Sequence, residues 1–185
     1  MKKWFRSGLP PHQTALAMLG AKAGQAVVFL GSADPDFAAE VGRVTGLNGR
    51  TVVVDDVDRA DARVEAAAAR AGALVEFDGR PPADSGLDAD QFDVAAVTVA
   101  TWAGWDEPAR AACAREALRV VRPGGRVVIV LSGGRPSRLL GAKPVPRSLA
   151  DAAMSLLTAA GARAVRVLAE VPGTTYVEAA RARST

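Results

Sequence analysis

Two acidic residues standing at the ends of apolar runs carry much of what this sequence says about chemistry. Asp55 follows the run 51–54 and Asp78 follows 73–77, while Gly31 closes the run 26–30, 24 positions before Asp55. A carboxylate at a strand end can accept hydrogen bonds from a vicinal diol with both of its oxygens. Asp56 and Asp58 flank Asp55, so capping of the next helix is the competing role for that acid. Asp84 is a rival to Asp78, and an ordinary loop acid is an equal reading of either. Asp34 and Asp36 stand where a helix begins, with Glu40 one turn later. A pyrophosphate seeking a helix N-terminus would meet three negative charges there, whereas a cationic ligand would be favoured.

Other chemistries are narrowed by what the chain contains. A single cysteine, Cys113, excludes an internal disulfide and any cysteine-cluster metal site, and a single histidine, His12, excludes multi-histidine sites. No metal is expected. Trp102 and Trp105 fall in one short loop and are candidates to line an apolar or aromatic substrate pocket; packing of that loop on its own helix is the alternative. Residues 132–147 form a basic loop carrying Arg135, Arg138, Lys143 and Arg147 between Pro136, Pro144 and Pro146. It reads either as a mobile lid for an anionic substrate or as solvated surface. The lead, with Trp4-Phe5, covers the cleft, touches a membrane surface or packs on the domain. No catalytic base stands out.

The elements that must position these residues alternate. Apolar runs at 26–30, 51–54, 73–77, 92–99 and 126–131 read as strands, continuous enough to be covered on both faces. Helices are expected over 11–19, 35–44, 58–71, 107–121 and 148–160, the second opened by Asp34 as N-cap and Pro35 at the first helical position. Arg122-Pro123-Gly124-Gly125 reads as the turn between the fourth helix and the fifth strand, both glycines supplying positive φ. Short strands over 164–169 and 174–179 around Val171-Pro172-Gly173 read as a hairpin. The 185 residues, 49% hydrophobic and 23% charged with a net charge of +3, suit a single globular domain over 1–185. With basic and acidic residues interleaved, no nucleic-acid partner is expected. No window approaches the length of a membrane span. A soluble cytoplasmic protein is the expectation, with a homodimer left open.

The stretch 114–130, Ala-Arg-Glu-Ala-Leu-Arg-Val-Val-Arg-Pro-Gly-Gly-Arg-Val-Val-Ile-Val, resembles the join before the fifth strand of class I S-adenosylmethionine (SAM)-dependent methyltransferases, in particular the ubiquinone/menaquinone-biosynthesis type. The resemblance runs over nearly the whole chain. It implies an α/β fold, a Rossmann-like seven-stranded sheet of order 3-2-1-4-5-7-6 with strand 7 antiparallel and helices on both faces. The family carries an acid two residues before a Gly-x-Gly-x-Gly loop. Here the loop is degenerate: Phe29 takes the acidic position, Gly31 remains, and Ala33 and Pro35 replace the other glycines. The resemblance assigns ribose binding to Asp55 and the adenine amino group to Asp78, and makes Phe92-Asp93 a structural pair. Gly31, Ser32, Ala33, Asp55, Asp56, Asp78 and Thr98 are then the cofactor positions, with Trp102 and Trp105 facing the acceptor. SAM is the expected cofactor, its sulfonium and ammonium suiting the acids near Asp34. The expected function is methyl transfer to a small molecule, a direct displacement that needs mainly alignment and desolvation. The alternative is a methyltransferase-like domain that has lost cofactor binding and serves as a binding or regulatory partner. A nucleotide-sugar or NAD enzyme is a third reading.

Overall fold

Seven strands form one sheet in the order β3-β2-β1-β4-β5-β7-β6. The computed structural model describes residues 11–57, 60–98, 102, 105–133 and 143–183. Trp4, Phe5, Asp58, Val99, Arg135, Pro136 and Arg138 lie outside the described residues. In chain order the elements are α1 (Pro11–Leu19), β1 (Ala26–Leu30), α2 (Pro35–Thr45), β2 (Arg50–Val54), α3 (Ala60–Ala71), β3 (Glu76–Asp78), β4 (Phe92–Val97), α4 (Glu107–Val120), β5 (Val121–Ser132), α5 (Arg147–Ala159), β6 (Arg163–Val171) and β7 (Thr174–Ala180). The first five strands pair in parallel, and β7 inserts antiparallel between β5 and β6. Only Pro172 and Gly173 link the last two strands, far too short a connection for a parallel crossover. Gly173 makes the reversal at φ +78°.

Alternation along β1 divides the core. Val28 and Leu30 pack with Trp102, Cys113, Ala117 and Leu157 on the face covered by α4 and α5. Val27 and Phe29 pack with Leu19, Phe37, Val41 and Val64 on the other, under α1, α2 and α3. Both faces are covered, which is why the strand reads as unbroken apolar sequence. Cys113 is fully buried, and burial, then the nearby Glu116 charge, push its thiol up to about 12. It is an inert packed group.

Two expected segments differ. The third strand begins at Glu76 rather than 73, because Gly72 (φ +63°) and the Ala73 N–H bond to the Ala68 carbonyl close α3 across the first residues of the run. The expected turn at 122–125 lies within β5, where the register against β4 shifts between Phe92 and Val94, a bulge rather than a reversal. Only Gly124 has positive φ, +81°. Gly125 is required by close approach: a Cβ there would stand 2.6 Å from Val121 Cγ1 and 2.7 Å from the Asp93 carbonyl oxygen. Asp93 accepts the Ala26 N–H at 2.8 Å and pairs with Arg122. Arg181 donates to the carbonyls of Leu118, Arg119 and Val121 at the end of α4. The chain thus passes from helix to strand without a free turn.

Candidate functional site

Parallel register brings the carboxyl ends of four strands level. Leu30 lies opposite Val54 and Val97, and Val54 opposite Asp78. The residues just beyond are held by the same ladder: Gly31 N–H to Val54 O at 2.9 Å, Thr98 N–H to Leu30 O at 3.2 Å, Asp55 N–H to Asp78 O at 3.1 Å. Gly31, Asp55, Asp78 and Thr98 are therefore brought together along one edge, where ligands of open α/β sheets sit. Gly31 turns the chain at φ +94°, a conformation that strains any side-chain-bearing residue. Ser32 and Ala33 follow it half-buried, and Asp56 is exposed.

Asp55 is 3% exposed, not a solvated strand-end acid, because the ends of the neighbouring strands enclose it. Among the described residues its carboxylate accepts one hydrogen bond, from Val57 N–H at 3.3 Å. A buried carboxylate has room for further donors. Thr98, 9% exposed, carries a hydroxyl with no partner among the described residues. A buried acid short of donors at the end of β2, and a hydroxyl without a partner among the described residues beyond β4 on the far side of β1, fit a ligand bearing several hydroxyls that lies across this edge.

The start of α2 tells against a phosphate. Asp34 Oδ1 accepts the N–H groups of Asp36 (3.0 Å) and Phe37 (3.1 Å), the Ala38 N–H goes to the Asp34 carbonyl, and Pro35 has none to give. The donors that make a helix N-terminus an anion site are consumed by the protein itself. His12 of α1 lies 3.8 Å from Asp34 and 3.5 Å from Glu40. Phe29 and Phe37 meet edge-on at 5.7 Å in the core under α1 and α2.

Asp78 is already engaged. Arg80 Nε and Nη2 donate to its two carboxylate oxygens at 2.9 and 2.6 Å, and the Arg80 N–H adds a third bond at 3.2 Å. The guanidinium holds this carboxyl below its usual range, outweighing its burial. Asp84, the rival acid, is exposed.

The tryptophans separate. Trp102 is fully buried in the core on the α4 face, its carbonyl accepting from Arg110 Nε at 2.6 Å. It does not face an open acceptor pocket, because its ring is buried in the core between the sheet and α4; its indole Nε1 has no partner among the described residues. Trp105 is half-buried against the same cluster. Of the basic loop, Lys143 and Arg147 are described; both are exposed, and Arg147 opens α5. The loop's ends meet, since a Cβ on Gly133 would overlap the Lys143 carbonyl.

A buried network on α4 has no local sign in the sequence, since Glu116 and Ser85 are distant along the chain. Glu116 accepts from Ser85 Oγ, from Ser85 N–H at 3.1 Å and from Arg119 at 2.7 Å, and Arg119 also donates to Leu87 O at 2.6 Å. This pins the loop between β3 and β4 to the helix. Among the described residues no group of metal-ligating side chains occurs and no helix is long and apolar enough to cross a membrane.

The family described as "Methyltransferase domain" matches residues 31–129. No curated protein matches. Among solved structures, a SAM-dependent methyltransferase from Aquifex aeolicus superposes with TM-score 0.73 at 17% identity, covering 92% of this chain and 89% of that one. A SAM-dependent O-methyltransferase from Thermotoga maritima gives 0.70 at 14%, covering 96% and 68%. The [4+2]-cyclase SpnF gives 0.72 at 15%, covering 94% and 80%. The folds agree, and the family match takes in the Gly31 turn, both strand-end acids and the bulged join into β5: the chain belongs to the methyltransferase-domain family, the SAM-dependent methyltransferases.

Proposed function

We propose that this chain transfers the methyl group of SAM to a small-molecule acceptor, with the cofactor lying across the ends of β1, β2 and β4. The observation that carries the placement is Asp55, a buried carboxylate that among the described residues accepts one long hydrogen bond and lies level with Gly31 and with a Thr98 hydroxyl that has no partner among them. Asp55 accepts from the ribose hydroxyls, and Gly31 shapes the turn that lets Ser32 and Ala33 pass close to the ligand. Asp56 flanks the site from the exposed side, and Asp78 reaches the adenine edge. Bound SAM supplies an electrophilic methyl on a sulfonium. The protein's part is to align the acceptor and exclude water. Trp105 contributes apolar wall, with Trp102 behind it as support.

Calorimetric titration of the protein with SAM and S-adenosylhomocysteine tests the reading. Saturable binding of both is expected, with none for NAD, since the start of α2 has no N–H left for a pyrophosphate. Absence of heat with either sulfur compound at millimolar concentration would remove the proposal.

A further inference from the structure

Arg80 is a side chain that neither the fold nor the methyl transfer calls for, and two independent features fix where it lies. Its Nε and Nη2 cover both oxygens of Asp78. Its Nη1 and Cζ occupy the space over Gly86, where a Cβ would overlap them and where the backbone has φ +59°. The guanidinium is therefore seated between the acid at the end of β3 and a glycine of the following loop. Both Ser85, next to that glycine, and Leu87 are tied to α4 through Glu116 and Arg119, so the seat is a held one.

We infer that Arg80 is a specificity-determining residue of the cofactor site: its guanidinium takes the acceptor face of Asp78 and sets which purine edge that face can receive. The inference rests on the proposed placement of adenine at Asp78. An adenine amino group is a donor, and so is every guanidinium N–H. The two compete for the same carboxylate oxygens, and adenine binds by displacing one arm of Arg80. A purine with a carbonyl at the same position is an acceptor, repelled by Asp78 but matched by Arg80. With Arg80 in place the site discriminates weakly between the two edges. Without it the bare carboxylate prefers the amine.

The test is titration of wild type, Arg80→Ala and Gly86→Ala with S-adenosylhomocysteine and with S-inosylhomocysteine, the 6-oxo counterpart. Arg80→Ala should bind the adenosyl compound about two- to fivefold tighter, the scale of releasing an exposed ion pair, and should bind the inosyl compound no better or worse. Gly86→Ala, which evicts the guanidinium from its seat, should move the ratio of the two affinities in the same direction. Wild-type binding with an unchanged or smaller ratio in Arg80→Ala overturns the inference while leaving the cofactor site standing. Equal tightening toward both compounds also overturns it, since Arg80 would then be only an obstruction. If neither wild type nor Arg80→Ala binds either compound, the placement of the cofactor falls as well.

Discussion

Asp34 accepts two N–H groups of its own helix and Asp55 accepts one from an exposed loop, so removing each carboxylate should separate stability from binding. Asp34→Ala strips the N-cap of α2 and should cost about 0.5–2 kcal/mol of stability, read by denaturant unfolding, while leaving SAM affinity nearly intact. Asp55→Ala should do the reverse. The Val57 N–H that it frees belongs to a residue 44% exposed, so water replaces the bond. Affinity should fall by about 1.5–3 kcal/mol, the scale of hydrogen bonds to a charged group, read by titration. A loss of affinity with Asp34 and not Asp55 would mean that the site is built around α2 instead. The position of Asp55 at a strand end was legible because the apolar run 51–54 stops at it. Its burial was not, since the enclosing ends of β1 and β3 are set by register between strands distant in sequence. Nor was the engagement of Asp78, although the Asp-Gly-Arg order at 78–80 is a short-range signal that a turn can fold the arginine back.

Glu116 anchors a whole loop to a helix, and its consequence belongs to those elements. Burial raises its pKa, but Arg119 and Ser85 outweigh that and hold the carboxyl below its ordinary range. The unfolded chain therefore binds this proton more readily than the folded one. The stabilisation is complete above the ordinary carboxylate pKa and is lost as pH falls through the lower folded value. Glu76 beside Arg50, and Asp78 beside Arg80, add in the same direction. Melting temperature should drop on acidification below about pH 4.5, and the drop should be shallower in Glu116→Gln; parallel curves for the two proteins would contradict the assignment. Helices and strands were readable from periodicity, caps and the Pro172-Gly173 reversal. The segment 122–125 was not, because its path depends on Asp93 and Arg181, and a local Pro-Gly-Gly pattern carries no trace of either.

At the scale of the molecule, Asp34, Asp36, Asp55, Asp56 and Asp78 stand at or just beyond the carboxyl ends of β1, β2 and β3, with Arg70 paired to Asp36 and Arg80 to Asp78. The opposite end of the sheet is balanced in the same way, Arg122 with Asp93, Arg126 with Glu178 and Arg181 with Asp90. The acids at the carboxyl ends suit a sulfonium and an ammonium better than a pyrophosphate. The insertion of β7 between β5 and β6 leaves the sheet edge beside β4 undisturbed, so Thr98, Gly31, Asp55 and Asp78 stay in one row. The most direct test of that arrangement is a crystal structure of the protein with S-adenosylhomocysteine. The account predicts both ribose hydroxyls within hydrogen-bond distance of the Asp55 carboxylate and the ligand crossing the Gly31 turn. Density for the ligand elsewhere, or an Asp55 carboxylate without it at saturating concentration, would contradict the account.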